Sequence, residues 1–210
     1  MTTDKAGAGE RLTSEKVLDA ARDLVRRFGE EKTNVVDIAR ALGTSHTTIY
    51  RRFRSKAEVF DAMVGEAMQD EEELARTYVD SKEAASERLE GLVLALHKRK
   101  LERFTNDPEV YRLYRRVVDE RPGLIRDYAA RMTKLVARIL ADGVRKKEYK
   151  IDDIDAAAEV VRDAVTVYVH PAHVEAAAKL GNRLEPAIKR MIGTLNIAFR
   201  SGFFAPRKRA

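Results

Sequence analysis

The chain has no cysteine and no tryptophan, and only 5 prolines among its 210 residues. Without thiols it has no disulfide framework and no thiolate nucleophile or metal ligand, which suits a reducing, cytoplasmic setting. No apolar stretch approaches the roughly 18 residues of a membrane span, so no membrane partner is expected. Residues 2–11 lack the apolar centre of a signal peptide. There is no glycine-rich phosphate loop, no nucleophile elbow and no metal-ligand cluster at a recognised spacing, so no enzyme, cofactor or metal is expected. Long runs of alternating β-branched residues are missing, which leaves an all-α fold. One further absence is local. From Ile38 to Lys56 the sequence contains no carboxylate.

What is present is a helix-rich composition, 44% hydrophobic and 35% charged, with 40 bases against 34 acids and a net charge of +6. That excess favours polyanionic partners, but its placement matters more than its sum. Arg40, Arg51, Arg52, Arg54 and Lys56 fall inside the carboxylate-free stretch. There, Val35, Ile38, Ala39 and Leu42 have helical spacing, and Gly43 supplies a permissive stop. Ser45 can cap a second short helix whose Ile49 and Phe53 point inward. The pattern is that of a helix-turn-helix DNA reader. Ser45, His46 and Thr47, at the exposed start of the recognition helix, are placed for base edges. Thr48 and Tyr50 suit phosphate, Arg52 suits phosphate or a guanine edge, and Lys56 suits phosphate. Thr33 or Asn34 caps the preceding helix at an end suited to a further phosphate contact. The competing reading is a helical hairpin whose charges are merely solvated.

The run Gly43-x-Ser45-x-x-Thr48-Ile49-Tyr50-x-x-Phe53-x-Ser55-Lys56-x-Glu58 resembles the N-terminal signature of the TetR family of bacterial transcriptional regulators. Val17-x-x-Ala20-Ala21-x-x-Leu24-Val25-x-x-Phe28-Gly29 and Thr33-x-x-x-x-Ile38-Ala39 fit it as well, so the likeness covers roughly residues 14 to 65. Thr47 departs from the glycine or proline that many members carry. The resemblance implies a three-helix DNA-binding domain followed by a divergent helical domain for effector binding and dimerisation. It implies a double-stranded DNA operator, a second copy of the chain and an unidentified small-molecule effector as partners. The implied action is that of a repressor on a palindromic operator, released by its effector. The alternatives are an effector-independent DNA binder and a helical protein–protein adaptor.

The expected organisation is a disordered arm at 1–12, the helix-turn-helix domain at 13–58, the effector and dimerisation domain at 59–202, and a flexible tail at 203–210. Helix one spans about Ser14 to Phe28 on a stripe of Val17, Ala21, Leu24, Val25 and Phe28. Ser55-x-x-Glu58 is a capping box opening a fourth helix. Pro108 and Pro122 are placed to begin a sixth and a seventh. Pro171 ends or kinks an eighth after Val169, and a last helix starts near Pro186. Among inward aromatic and flexible groups, Leu96, Phe104, Tyr114, Tyr128, Met132, Val161 and Tyr168 are candidates for an effector pocket, with ordinary core packing the competing role. The resemblance places dimer contacts on the last two long helices, through Val160, Ile188, Met191, Ile192, Leu195 and Phe199. The basic run His97-Lys98-Arg99-Lys100 and the cluster Arg112, Arg115 and Arg116 read as solvated helix faces, the competing reading being a preference for an acidic effector, and His170 with His173 lacks a third metal ligand.

Overall fold

The computed structural model describes residues 12–202, so the proposed arm, apart from Leu12, and the tail at 203–210 lie outside the described residues. Among the described residues there are ten helices and no strand. They fall into two compact units, divided between Met63 and Val64. None of these helices is long and apolar enough to cross a membrane.

The N-terminal unit holds α1 (Ser14–Phe28), α2 (Val35–Ala41), α3 (His46–Tyr50) and the start of α4 (Lys56–Val79). Thr13 caps α1 by accepting the Lys16 N–H at 3.2 Å, and Asn34 caps α2 by accepting that of Asp37 at 3.0 Å. These side chains satisfy donors that the first turn of a helix leaves unpaired. Gly43 adopts a φ of 62° and ends α2. Its N–H reaches the Arg40 carbonyl and that of Thr44 reaches Ala39, the paired bonds of a Schellman stop. Val17, Ala21, Val25, Ile38, Ile49, Val59 and Phe60 are buried in this unit. Phe28 departs from the expected stripe: it is 50% exposed, with the Arg27 guanidinium 5.1 Å over its ring. Leu18 is buried in this helix instead, because it lies one turn from Ala21 and two turns from Val25 on the same face.

The C-terminal unit is built around α5 (Ala85–Asn106), which packs against α6 (Pro108–Glu120), α7 (Pro122–Arg145), α8 (Ile154–Val169), α9 (Pro171–Lys179) and α10 (Glu185–Ser201). Leu89, Leu92, Ile139, Leu140, Ala158 and Ile192 form the centre of its core. The eighth helix ends at Val169, as expected ahead of Pro171, and Pro171 also opens α9. Proline at the first position of α9 loses no helical bond there, and His170 Nδ1 caps the same end by accepting the Ala172 N–H at 3.3 Å. Ile188, Ile192 and Phe199, expected at a dimer surface, are at most 1% exposed and belong to this unit's core. Val160 is 41% exposed, while Met191 and Leu195 are partly buried.

Two backbone positions at the end of α7 carry opposite strain. A Cβ on Gly143 would lie 2.5 Å from the Tyr149 ring and 2.8 Å from the Ala85 Cβ. Lys147 holds a left-handed φ of 63°, the position usually given to glycine after a helix. Gly143→Ala is therefore expected to lower stability by about 1–3 kcal/mol. Lys147→Gly should raise it by about 1 kcal/mol. Denaturant unfolding of the two variants measures both signs.

Candidate nucleic-acid interface and ligand cavity

The recognition segment is set by a short helix held at both ends. Ser45 Oγ accepts the Thr48 N–H at 3.2 Å and lies 2.8 Å from the Thr48 hydroxyl, so these two side chains cap α3. Ile49 is fully buried and Phe53 nearly so, which fixes the opposite face toward solvent. On that face His46, Thr47 and Tyr50 are exposed, the His46 and Tyr50 rings meeting edge to face at 6.3 Å. The Glu58 N–H donates to Ser55 Oγ at 3.1 Å while its carboxylate accepts from the Arg54 N–H, completing the cap of α4.

Several groups expected to face DNA are committed to the fold. Thr33 is 1% exposed, and its hydroxyl donates to the Gly29 carbonyl at 2.8 Å. Lys56 Nζ donates to the Glu30 carbonyl at 2.7 Å, closing the α1–α2 loop. Arg52 donates to the Leu12 carbonyl. Arg40 pairs with Asp37 of its own helix at 3.0 Å. Asn34 is exposed but spends its oxygen on the α2 cap. Arg51 and Arg54, the other bases of the carboxylate-free stretch, are exposed, and neither guanidinium has a hydrogen-bond or ion-pair partner among the described residues. Spacing along the chain marks this stretch as basic but does not distinguish a cation that ties a loop from one that faces outward.

The second feature lies inside the C-terminal unit, a cavity of about 180 Å³. Five expected pocket residues, Leu96, Tyr114, Tyr128, Met132 and Val161, line it together with Met68, Val136 and Val165. Phe104 and Tyr168 lie outside it. The Phe104 ring packs against Tyr111 at 5.3 Å, and the Tyr168 carbonyl lies 2.9 Å from His97 Nδ1.

One end of the cavity is polar, where the basic run is not the solvated face expected of it. His97 and Lys100 are each 3% exposed, whereas Lys98 projects outward beside Glu102. Lys100 Nζ donates to both oxygens of the fully buried Glu71, at 2.9 and 2.7 Å, and to the Tyr114 hydroxyl at 3.2 Å. Arg103 and Tyr128 donate to the same carboxylate at 2.6 and 2.5 Å. Burial alone would raise the Glu71 carboxyl, but Lys100 and Arg103 outweigh it and hold it below the usual carboxylate range. Burial raises the Tyr114 and Tyr128 phenols, keeping both protonated. His170, also on the lining, is lowered by burial and by the neighbouring His173. His170 is half-buried beside His173, there is no cluster of three metal-ligating side chains among the described residues, and its ring caps α9.

Comparison with known proteins joins the two features. Residues 17–63 match the family model described as bacterial regulatory proteins, tetR family, and residues 85–187 match the tetracyclin repressor-like C-terminal domain. The chain belongs to the TetR family. It is a DNA-binding transcription regulator, of a family of non-enzymatic regulators. No curated protein matches it by sequence. Solved structures share the fold of this TetR-family chain. A transcriptional regulator from Cytophaga hutchinsonii is 18% identical with a TM-score of 0.67, over 89% of this chain and 97% of the other. A TetR/AcrR-family regulator from Thermobifida fusca is 20% identical with a TM-score of 0.58, over 91% and 98%. The regulator FadR from Bacillus subtilis, in complex with stearoyl-CoA, is 18% identical with a TM-score of 0.56, over 90% and 99%.

Removing the cation from the polar end tests its weight. Lys100→Met should destabilise the protein by about 3 kcal/mol at neutral pH, since it strips the main counter-charge from a buried carboxylate. With only Arg103 and Tyr128 left to oppose burial, the folded-state Glu71 pKa rises from its place in the parent. Protonation relieves the defect, and the gap to the parent should narrow as pH falls through the carboxylate range. Urea unfolding of both proteins at two pH values measures this.

Proposed function

We propose that the chain is a homodimeric repressor that binds a palindromic operator and is released when a small molecule occupies the cavity of the C-terminal unit. The observation that carries the DNA-reading part is the outward face of α3, where His46, Thr47 and Tyr50 are exposed and Arg51 and Arg54 have uncommitted guanidinium groups. His46 and Thr47 are assigned to base edges, and Tyr50 with the two arginines to phosphate. Ser45 and Thr48 serve the cap, so their contribution to DNA binding is to hold the helix. Thr33, Asn34, Arg52 and Lys56 act by fixing the loop and helix starts, with backbone N–H groups near Asn34 free to meet phosphate.

One recognition helix covers few base pairs, and a two-fold dimer presents two of them about 34–36 Å apart, one DNA turn. Exposed Val160, Val167 and Ile197, with the partly exposed Met191 and Leu195, supply an apolar surface on α8 and α10 for that pairing. An effector lowers operator affinity by its differential affinity for the two states, and by no more. That FadR from Bacillus subtilis holds stearoyl-CoA supports a ligand role for a helical domain of this shape.

Selection of bound fragments from a random DNA library tests the reading. A consensus with two inverted half-sites about one turn apart is expected, and the absence of any enriched sequence would refute it. On the selected DNA, Arg51→Ala with Arg54→Ala removes two phosphate contacts from each protomer of the dimer and should reduce the slope of log affinity against log salt by about 4, with an unchanged melting temperature. Lys56→Met should lower the melting temperature instead. A helical adaptor would bind no DNA in these assays.

A further inference from the structure

We infer that the cavity takes an uncharged, mainly apolar molecule bearing one hydrogen-bond acceptor such as a carbonyl oxygen, which the Tyr114 hydroxyl recognises. The inference rests on the reading of the cavity as the effector site and names the chemical class of its ligand.

The reason is a count of what the polar end still has to give. Lys100 spends its three protons on the two Glu71 oxygens and the Tyr114 oxygen. Glu71 Oε1 accepts from Lys100 and Arg103, and Oε2 from Lys100 and Tyr128, so both oxygens are doubly engaged. The ionic groups are thus paired with one another and saturated. A ligand carboxylate or ammonium at this end would lose its hydration and find no free counter-charge, a cost of several kcal/mol per ion. Tyr114 is different. Its oxygen accepts from Lys100, its proton meets no acceptor among the described residues, and the residue is 5% exposed. Its phenol is held protonated by burial, so it offers a permanent donor at the cavity wall. A second donor is available at the half-buried His170, whose Nδ1 accepts the Ala172 N–H and leaves Nε2 carrying the proton in the neutral ring. Both free groups are neutral donors. Thr133 and Thr166 spend their hydroxyl protons on the Ala129 and Arg162 carbonyls, and Arg162, also on the lining, pairs with Asp163 at 2.8 Å, while Leu96, Met132, Val136 and Val161 make much of the remaining wall apolar. Binding energy must then come from burying apolar surface, with Tyr114 selecting an acceptor at one point. A cavity of about 180 Å³ is close to the size that admits a single aromatic ring with a short substituent.

Four probes of nearly one shape separate the chemistries: propiophenone, propylbenzene, phenylacetate and phenethylamine, titrated calorimetrically into the full chain. Propiophenone and propylbenzene should bind, and the two ions should bind at least about tenfold more weakly. Tyr114→Phe should weaken propiophenone by about tenfold and leave propylbenzene unchanged. Met132→Trp, which fills the cavity, should abolish binding of both. Phenylacetate or phenethylamine binding as tightly as the ketone would overturn the assignment, as would a Tyr114→Phe variant that keeps full ketone affinity. No binding by any probe, or binding unaffected by Met132→Trp, would overturn it too. The library-selected DNA is titrated in the same samples. Ketone binding that depends on Tyr114 without loosening DNA upholds the ligand class and refutes release by induction. Absence of DNA binding by the unliganded chain refutes the regulator reading independently.

Discussion

The arrangement of the C-terminal unit depends on one buried carboxylate. Glu71 is carried inward by α4 and receives protons from Lys100 and Arg103 on α5 and from Tyr128 on α7, while Lys100 also reaches Tyr114 on α6. Four helices therefore meet at one group. Burying ions costs several kcal/mol each, so the network is tolerable only when every member is satisfied. It adds little net stability compared with an apolar substitute, but it restricts how the helices may sit. A rotation of α4 or α7 that broke one bond would strand a charge in the interior.

The same constraint shapes the cavity. Saturated ions cannot serve as a ligand's counter-charge, yet they fix the neutral phenols at its edge. A second pair, the buried Arg88 with the partly exposed Asp142, joins α5 to α7, and Arg88 also donates to the Val79 carbonyl at 3.0 Å. The apolar core around Leu89, Ile139 and Ile192 fills the space between these two polar anchors. The cavity lies where side chains from α4 to α8 converge without filling the volume.

The N-terminal unit follows a different logic, in which short local bonds dominate. Thr13, Asn34, Ser45 and Ser55 each satisfy a helix start within three residues. Such bonds are readable from spacing alone, and so are the Gly43 stop and the inward Ile49 and Phe53. What spacing could not separate was the use of each cation. Arg52 and Lys56 bend back to carbonyls 40 and 26 residues away in sequence, whereas Arg51 and Arg54 do not. That difference comes from the path of the chain, not from residue type.

Capping, helical periodicity and turn glycines act over three or four residues, so the all-α class, the capped helix-turn-helix and its family are legible along the chain. Pro171 marks the limit of that reading: its place predicts the end of one helix after Val169 but not that it also opens the next, where His170 supplies the cap. Tertiary structure alone decided which stripe positions were core. Ile188, Ile192 and Phe199 share a helical face with residues that keep some exposure, and only the neighbours packed against α10 close them off. It also turned Lys100 from an apparent surface base into a buried ion, since its partner lies 29 residues away on another helix. Long-range pairing of this kind leaves no periodic trace, and in this chain it determines the chemistry of the cavity.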